Sequence, residues 1–282
     1  MVFLNQILFI IVTYKEEFYK CNSYTTLINS FNSSSLENKK LNIFIADNTD
    51  IEGWECSIIK PDNNIFINYQ KYDNPGLSFA YNKGAEFAKE NNYSWLVLLD
   101  QDTMLPTNFF DEYNDAINND DNIPLKVPLI LIDNDKILSP AKYINYRSIL
   151  YNDLNKGIMN LNGHSFINTG MFINTDFFIK IKGYNENIKL DFSDHDFIYK
   201  CKKFINKFEV LPIKLVQDFS SITNTKEQAI KRYSLYLRDL KAFKIKKENR
   251  LSLFINADLR RLVKLVIQYK SFDFIKIRLK KW

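Results

Sequence analysis

The apolar residues 95–99 run directly into Asp100-Gln101-Asp102. A short unbroken apolar run suits a strand buried on both faces of a parallel sheet. Asp disfavours strand interiors, so this strand is expected to end at Asp100. Similar runs occur upstream. Residues 6–12 predict a first buried strand that gives way to Thr13-Tyr14, and residues 41–46 a second that stops at Asp47-Asn48; residues 65–69 read as a third. Between them the spacing turns helical: Tyr24, Leu27, Ile28 and Phe31 share a face within residues 19–31. Residues 77–89, with the good helix formers Ala80, Ala85 and Ala88, follow the turn signal Asn74-Pro75-Gly76. This β-α-β-β-α-β order predicts a parallel, doubly wound sheet.

In such sheets ligands sit beyond the carboxyl ends of the strands. Thr13-Tyr14, Asp47-Asn48 and Asp100-Gln101-Asp102 are therefore expected on one edge, joined by the N-terminus of the helix after Gly76, whose free N–H groups suit a phosphate. Asp47-Asn48 also fits plain turn chemistry. Two carboxylates one residue apart are hard oxygen ligands of the kind that hold Mg²⁺ or Mn²⁺, with phosphate and water completing the shell.

The middle of the chain is less regular. Residues 109–117 read as a helix and residues 125–132 and 137–143 as strands. The polar residues 150–163 read as a mobile loop. Residues 169–173 predict a strand, followed by a short helix at 176–182 and a turn at Gly183-Tyr184. Residues 189–200 carry a second acidic cluster, Asp191, Asp194 and Asp196. A helix opening at Ser193 or Asp194 would crowd all three at its positive end. That is either a capped surface helix or a general base in a cleft, its proton affinity raised by the neighbouring carboxylates. Residues 232–245 and 259–269 return to helical periodicity.

Charge divides the chain. The net charge is +5, but residues 226–282 hold 17 Lys/Arg against 5 Asp/Glu, while the rest of the chain carries a net −7. A basic tail on an acidic body is expected to meet an anionic partner. Three scattered cysteines give neither a disulfide framework nor a metal-ligand spacing, which suits a reducing, cytoplasmic compartment. The apolar run at 7–12 is too short to span a bilayer and lacks a basic leader, so neither a signal peptide nor a transmembrane helix is expected.

The motifs taken together resemble the family 2 glycosyltransferases, and among them the rhamnosyltransferase-like branch. Asn74-Pro75-Gly76-Leu77-Ser78-Phe79-Ala80-Tyr81-Asn82-Lys83-Gly84 followed by Leu98-Leu99-Asp100-Gln101-Asp102-Thr103 carries the resemblance. Thr13-Tyr14 and Asp47-Asn48-Thr49 are similar to that family's first nucleotide-contacting loops. Thr169-Gly170, Lys182-Gly183-Tyr184-Asn185-Glu186, the cluster 191–200 and residues 232–239 follow in the family's order, so the match covers roughly residues 6–240.

The resemblance implies a GT-A fold, α/β with a mostly parallel sheet flanked by helices, over residues 1–220, with a basic helical C-terminal extension at 221–282. It implies an inverting enzyme with a divalent metal, Mg²⁺ or Mn²⁺, and a nucleotide-sugar donor, dTDP-rhamnose or a UDP-sugar. The acceptor would be a glycan or a lipid-linked sugar in bacterial surface polysaccharide synthesis. Donor binding would fall to Thr13, Tyr14, Asp47, Asn48, Asn74, Gly76, Asn82, Lys83, Asp100 and Gln101, and metal binding to Asp102 with Asp100. Thr169, Gly170, Asp196 and Lys200 would lie on the acceptor or sugar side. Asp194 would be the catalytic base, with Asp191 its rival. Three departures bear on the donor sugar: Lys200 where the family has Arg, Gln217-Asp218 where rhamnosyl members have His, and Tyr81 in place of Gln or Arg.

A non-catalytic carbohydrate- or nucleotide-sugar-binding module on the same fold is the alternative. Nucleic-acid binding is disfavoured by the acidic body and the lack of a recognised motif. The cations of the tail, among them Lys276, Arg278, Lys280 and Lys281, are interleaved with Phe272, Phe274 and Trp282. They suit either a solvated helix pair or a peripheral contact with an anionic membrane surface, at the inner face of the cytoplasmic membrane.

Overall fold

The buried apolar runs become the spine of the molecule. In the computed structural model, which describes residues 4–57, 62, 64–117, 122–132, 136–217, 225–244 and 249–281, the first half runs β1 (Ile7–Thr13), α1 (Asn22–Ser33), β2 (Leu41–Asp47), β3 (Ile65–Lys71), α2 (Leu77–Glu90) and β4 (Trp95–Asp100). β1 lies between β2 and β4, parallel to both, and β3 pairs with β2, also in parallel. Side chains alternate across β1. Leu8, Ile10 and Val12 meet Ala80, Ala85 and Ala88 of α2 on one face. Ile7, Phe9 and Ile11 meet Leu27 and Phe31 of α1 on the other.

The second half makes the sheet mixed. It runs β5 (Thr103–Met104), α3 (Phe109–Ile117), β6 (Leu125–Ile132), β7 (Lys136–Ser139), β8 (Ala141–Ile144), β9 (Arg147–Ile149), β10 (Gly157–Asn160), β11 (His164–Ser165), β12 (Phe172–Asn174), α4 (Thr175–Lys180), α5 (Ser193–Cys201) and β13 (Lys207–Gln217). The order across the sheet is β10-β13-β6-β12-β4-β1-β2-β3, with β5 on β13 and β7 on β6. β12 is antiparallel to both β4 and β6 and so joins the two halves. β8, β9 and β11 form a separate small antiparallel sheet. The tail folds as α6 (Lys226–Lys244), α7 (Arg250–Leu253), a π-helical turn at Phe254–Leu259, α8 (Arg260–Tyr269) and α9 (Asp273–Lys281). Tyr233, Tyr236 and Leu240 of α6 pack with Ile188, Leu253 and Phe274 in a third core.

Three expectations need correction, and one strand went unforeseen. Residues 137–143 are two strands rather than one, because the chain leaves the main sheet at Pro140. The expected mobile loop at 150–163 contains β10, which pairs with β13. The strand expected from Thr169 starts at Phe172, because Gly170 takes a left-handed φ of +75° just before it. β13 itself has no counterpart in the sequence reading, because Pro212 and Lys214 interrupt its apolar pattern. The register on β6 shifts between Val210 and Lys214, an irregularity that accommodates the proline.

Candidate functional site

Parallel pairing brings the expected strand ends together. Thr13 lies opposite Asp47, and Val12 opposite Asp100. The side chains at this edge are already organised. Asp47 is buried; its Oδ1 accepts from the Thr49 N–H at 2.9 Å and its Oδ2 from the Trp54 indole at 2.8 Å and the Tyr69 hydroxyl at 2.6 Å. It therefore shapes the loop after β2. Two neighbouring groups are buried without a hydrogen-bond partner among the described residues, Thr13 Oγ1 and Asn48 Oδ1. Buried polar groups are normally paired, so these two point to a ligand at this edge. Gln101 Oε1 accepts the Tyr14 N–H at 2.6 Å and ties the ends of β1 and β4.

The paired carboxylates sit on a hydrogen-bonded chain. The Asp100 N–H donates to Thr169 Oγ1 at 3.1 Å, Thr169 and Thr103 hydroxyls are 2.6 Å apart, and Thr103 Oγ1 donates to Gln217 Oε1 at 2.9 Å. The Gln217 amide then donates to Asp102 Oδ1. The Tyr81 hydroxyl donates to Asp100 Oδ1 at 2.6 Å. Burial raises the Asp100 pKa to about 7, helped by the charges of Asp102 and Asp194 and opposed by the Tyr81 hydrogen bond. Glu16 also rises, through burial and then the charge of Asp102. The sequence reading missed Glu16 and noted Gln217 only as a departure; Asp218 lies outside the described residues.

The second acidic cluster separates into three environments. α5 opens at Ser193 after Phe192 in a left-handed conformation. Asp194 lines a cavity of about 910 Å³ whose walls include Asp100, Gln217, Asn168, Arg232 and His195. Asp194 Oδ1 accepts the His195 N–H at 2.6 Å. Asp191 is gripped by Arg232 through both carboxylate oxygens. Asp196 turns inward and is buried. His195 stacks on Tyr143 at 4.1 Å, and its Nδ1 lies 2.6 Å from Ser165 Oγ.

The tail builds this site. The buried Asp239 of α6 accepts the N–H groups of Lys189, Leu190 and Asp191 at 3.1, 2.9 and 3.0 Å, which fixes the loop leading into Asp194. α8 also contributes Arg260, Arg261, Lys264 and Gln268 to the cavity wall. The cavity wall thus carries the carboxylates of Asp100 and Asp194 together with the cations of α8.

Several expected site residues stand elsewhere. Leu77, the first residue of α2, gives its N–H to Lys189 O at 2.6 Å, so one of the donors at that end of the helix is taken by protein. Gly76, at φ +116°, permits this: a Cβ there would lie 2.7 Å from Lys189 Cα. Asn74 donates to Asp50 at 3.1 Å. Asn82 bridges to Tyr184 and Glu186, accepting the Tyr184 N–H at 2.8 Å and donating to Glu186 at 2.8 Å. Lys83 pairs with Glu86 at 2.6 Å on the surface. Lys200 donates to the carbonyls of Lys182 and Gly183. Gly170 packs against Pro128 and Leu215. Of the expected site residues only Asp100, Asp191 and Asp194 line this cavity; Thr13, Tyr14, Asp47, Asn48, Gln101, Asp102 and Thr169 do not, nor do Asn74, Gly76, Asn82, Lys83, Gly170, Asp196 and Lys200. In the tail, Phe274 is core and Arg278 pairs with the buried Asp258 at 2.8 Å, so neither faces outward; Trp282 lies outside the described residues.

No protein-family model matches the sequence, and no curated protein matches it. Solved structures do match in fold. TarS from S. aureus in complex with UDP-GlcNAc has a TM-score of 0.54 at 13% identity, over 96% of this chain and 81% of that one. The mannosyltransferase PcManGT from Pyrobaculum calidifontis, in complex with GDP-Man and Mn²⁺, has a TM-score of 0.53 at 10% identity, over 98% and 73%. GalNAc-T7 with UDP, GalNAc and Mn²⁺ has a TM-score of 0.54 at 13% identity, over 96% and 56%. The mostly parallel sheet flanked by helices, with a helical C-terminal region, is the GT-A fold.

The donor chemistry fits a divalent cation of one type. Among the described residues no group of three or more His, Cys, Asp or Glu side chains is placed to hold a metal alone. Asp100 and Asp102 do act on each other electrostatically at the strand edge. Two carboxylates suit Mg²⁺ or Mn²⁺ whose remaining ligands are substrate phosphate and water.

Proposed function

We propose that this chain is a metal-dependent, inverting glycosyltransferase of the family 2 type. It moves a sugar from a nucleoside diphosphate to a hydroxyl of a glycan or lipid-linked acceptor in bacterial surface polysaccharide synthesis. The observation that carries this reading is geometric: Asp100, at the end of β4 and two residues before Asp102, lines the same cavity as Asp194, which lies nearly a hundred positions further along the chain at the start of α5. The shared fold supports it, since the matched structures hold UDP-GlcNAc and GDP-Man.

In this reading Thr13 Oγ1 and Asn48 Oδ1 take polar groups of the nucleoside. Asp102, with Asp100, would hold Mg²⁺ or Mn²⁺, and the ion would offset negative charge on the departing diphosphate. Gln217 orients Asp102, and Tyr81 orients Asp100. Asp194 removes the proton of the acceptor hydroxyl, whose oxygen bonds to the anomeric carbon as the bond to the diphosphate breaks. Attack from the face opposite the leaving group inverts that carbon. The Asp191–Arg232 pair leaves Asp191 engaged as a positioning residue. dTDP-rhamnose and UDP-sugars are the donors to try first.

A donor panel read by thermal shift tests this. One nucleotide sugar is expected to raise the melting temperature more with Mn²⁺ than without, because a ligand of the native state stabilises by mass action. If no nucleotide sugar stabilises the protein in either condition, the reading fails.

A further inference from the structure

Two faces of α8 have clear roles. Arg260, Arg261, Lys264 and Gln268 line the cavity, and Leu262, Leu265, Val266 and Tyr269 pack on the third core. The remaining face carries Leu259, Val263 and Ile267, all exposed. The stripe continues upstream at the same four-residue interval through Ile255 and Leu251, and Phe272 extends it past the end of the helix. Leu251, Ile267 and Phe272 are 69%, 70% and 73% exposed. A four-residue step overshoots an α-helical turn by about 40°, so five such positions would wind away from one another. The π-helical turn at Phe254–Leu259 is wider and counters that drift, keeping the stripe on one side.

A row of cations runs beside the ridge. The acids of the segment are taken internally, Asp258 by Arg278 and Asp273 by Lys226. Arg260, Lys264 and Lys270 have no acidic partner among the described residues. Contiguous exposed apolar side chains with flanking lysine and arginine fit a bilayer boundary, where the apolar groups enter the headgroup layer and the cations meet lipid phosphate. A second copy of this chain would bring like charges together across a two-fold interface. No helix of the described residues is long and apolar enough to cross a membrane.

From this we infer that the Leu251–Ile255–Leu259–Val263–Ile267 ridge, with Phe272, seats the protein on an anionic lipid surface. The cation row then lies at the membrane plane, and the cavity opens beside it. This surface narrows the basic tail that the sequence suggested to one face of it, and none of its ridge residues lines the cavity with Asp100 and Asp194.

Co-sedimentation of the full chain with phosphatidylcholine vesicles, with and without phosphatidylglycerol, tests the inference at low and high salt. The protein is expected to pellet with the anionic vesicles at low salt and to be weakened by high salt. Ile267→Ser and Phe272→Ser should each weaken binding about tenfold or more, from the apolar area they remove. Their melting temperatures should stay unchanged, because both positions are exposed. Phe66→Ser, exposed on β3 at the far edge of the sheet, should bind as the parent. Wild-type protein left in the supernatant with anionic vesicles would overturn the inference. So would undiminished binding by both ridge variants, or a dimer in sedimentation equilibrium that Ile267→Ser dissociates. Donor stabilisation in the thermal-shift panel is read separately, so failure here leaves the transfer reaction standing and failure there leaves this surface standing.

Discussion

The guanidinium of Arg232 holds both carboxylate oxygens of Asp191, with Nη2 2.9 Å from Oδ1, while Asp194, three residues on in the same cavity wall, accepts the His195 N–H and faces no arginine among its hydrogen-bond partners in the described residues. The two acids of the cluster thus have different work. Asp194→Asn should abolish turnover with donor affinity nearly intact, because a base acts on the acceptor hydroxyl. Asp191→Asn should lower stability by about 1–3 kcal/mol through the weakened charged hydrogen bonds and reduce turnover only partly. Single-turnover kinetics beside donor titration separates the two. Full loss of turnover in Asp191→Asn, with activity kept in Asp194→Asn, would reverse the assignment.

Asp102 is held by Gln217 at the end of β13. Asp102→Asn should remove the Mn²⁺-dependent part of nucleotide binding, and Gln217→Ala should weaken it by a smaller factor by freeing the Asp102 side chain. Isothermal titration of UDP with and without Mn²⁺ reads both. Metal-dependent binding unchanged in Asp102→Asn would place the cation elsewhere.

The raised Asp100 pKa has a defined sign. With a native pKa of about 7 against an ordinary 3.8, the folded state binds the proton more tightly than the unfolded state. The stability this group allows is complete below about pH 4 and is lost as pH rises toward and through 7. Asp100→Asn should therefore raise the melting temperature of the metal-free protein at about pH 8, by an amount that shrinks as pH falls toward about 4. Melting curves across that range check it. An equal shift at every pH would point to packing instead of charge.

Gly76 joins α2 to the loop that carries the second acidic cluster. Its left-handed φ and the 2.7 Å approach to Lys189 Cα leave no room for a side chain. Gly76→Ala should cost about 1–3 kcal/mol from backbone strain alone, more if the Leu77–Lys189 hydrogen bond breaks. Urea denaturation measures the loss. A midpoint equal to the parent's would mean that the loop moves away freely.

The first half of the fold was legible because its information is local. Residues 95–99 and 7–12 are apolar without a break and end at polar residues, which marks parallel strands and their carboxyl ends in one signal. β13 was not legible, since Pro212 and Lys214 break its pattern and its place beside β6 depends on contacts far away in sequence. The site followed the same division. Asp100, Asp102 and Asp194 could be picked out from their settings. The residues that position them act over long range: Arg232 reaches Asp191 across 41 positions and Gln217 reaches Asp102 across 115. Asp239 did leave a trace, as a carboxylate on the same helical face as Tyr236 and Leu240, where a buried acid demands partners. Asn82 and Lys200 went the other way: their motifs are present, but their side chains close turns around Tyr184 and Gly183 instead of facing the cavity.

Release of nucleoside diphosphate from the nucleotide sugar that stabilises the protein best, followed with Mn²⁺ in the parent, Asp102→Asn and Asp194→Asn proteins, tests the proposed reaction most directly. The parent should release diphosphate and form glycoside when given an acceptor hydroxyl, Asp102→Asn should lose the Mn²⁺-dependent part of binding and release no diphosphate, and Asp194→Asn should bind donor without forming glycoside. Binding of the sugar nucleotide by all three proteins with no release in any of them would contradict catalysis and leave a binding module on the same fold.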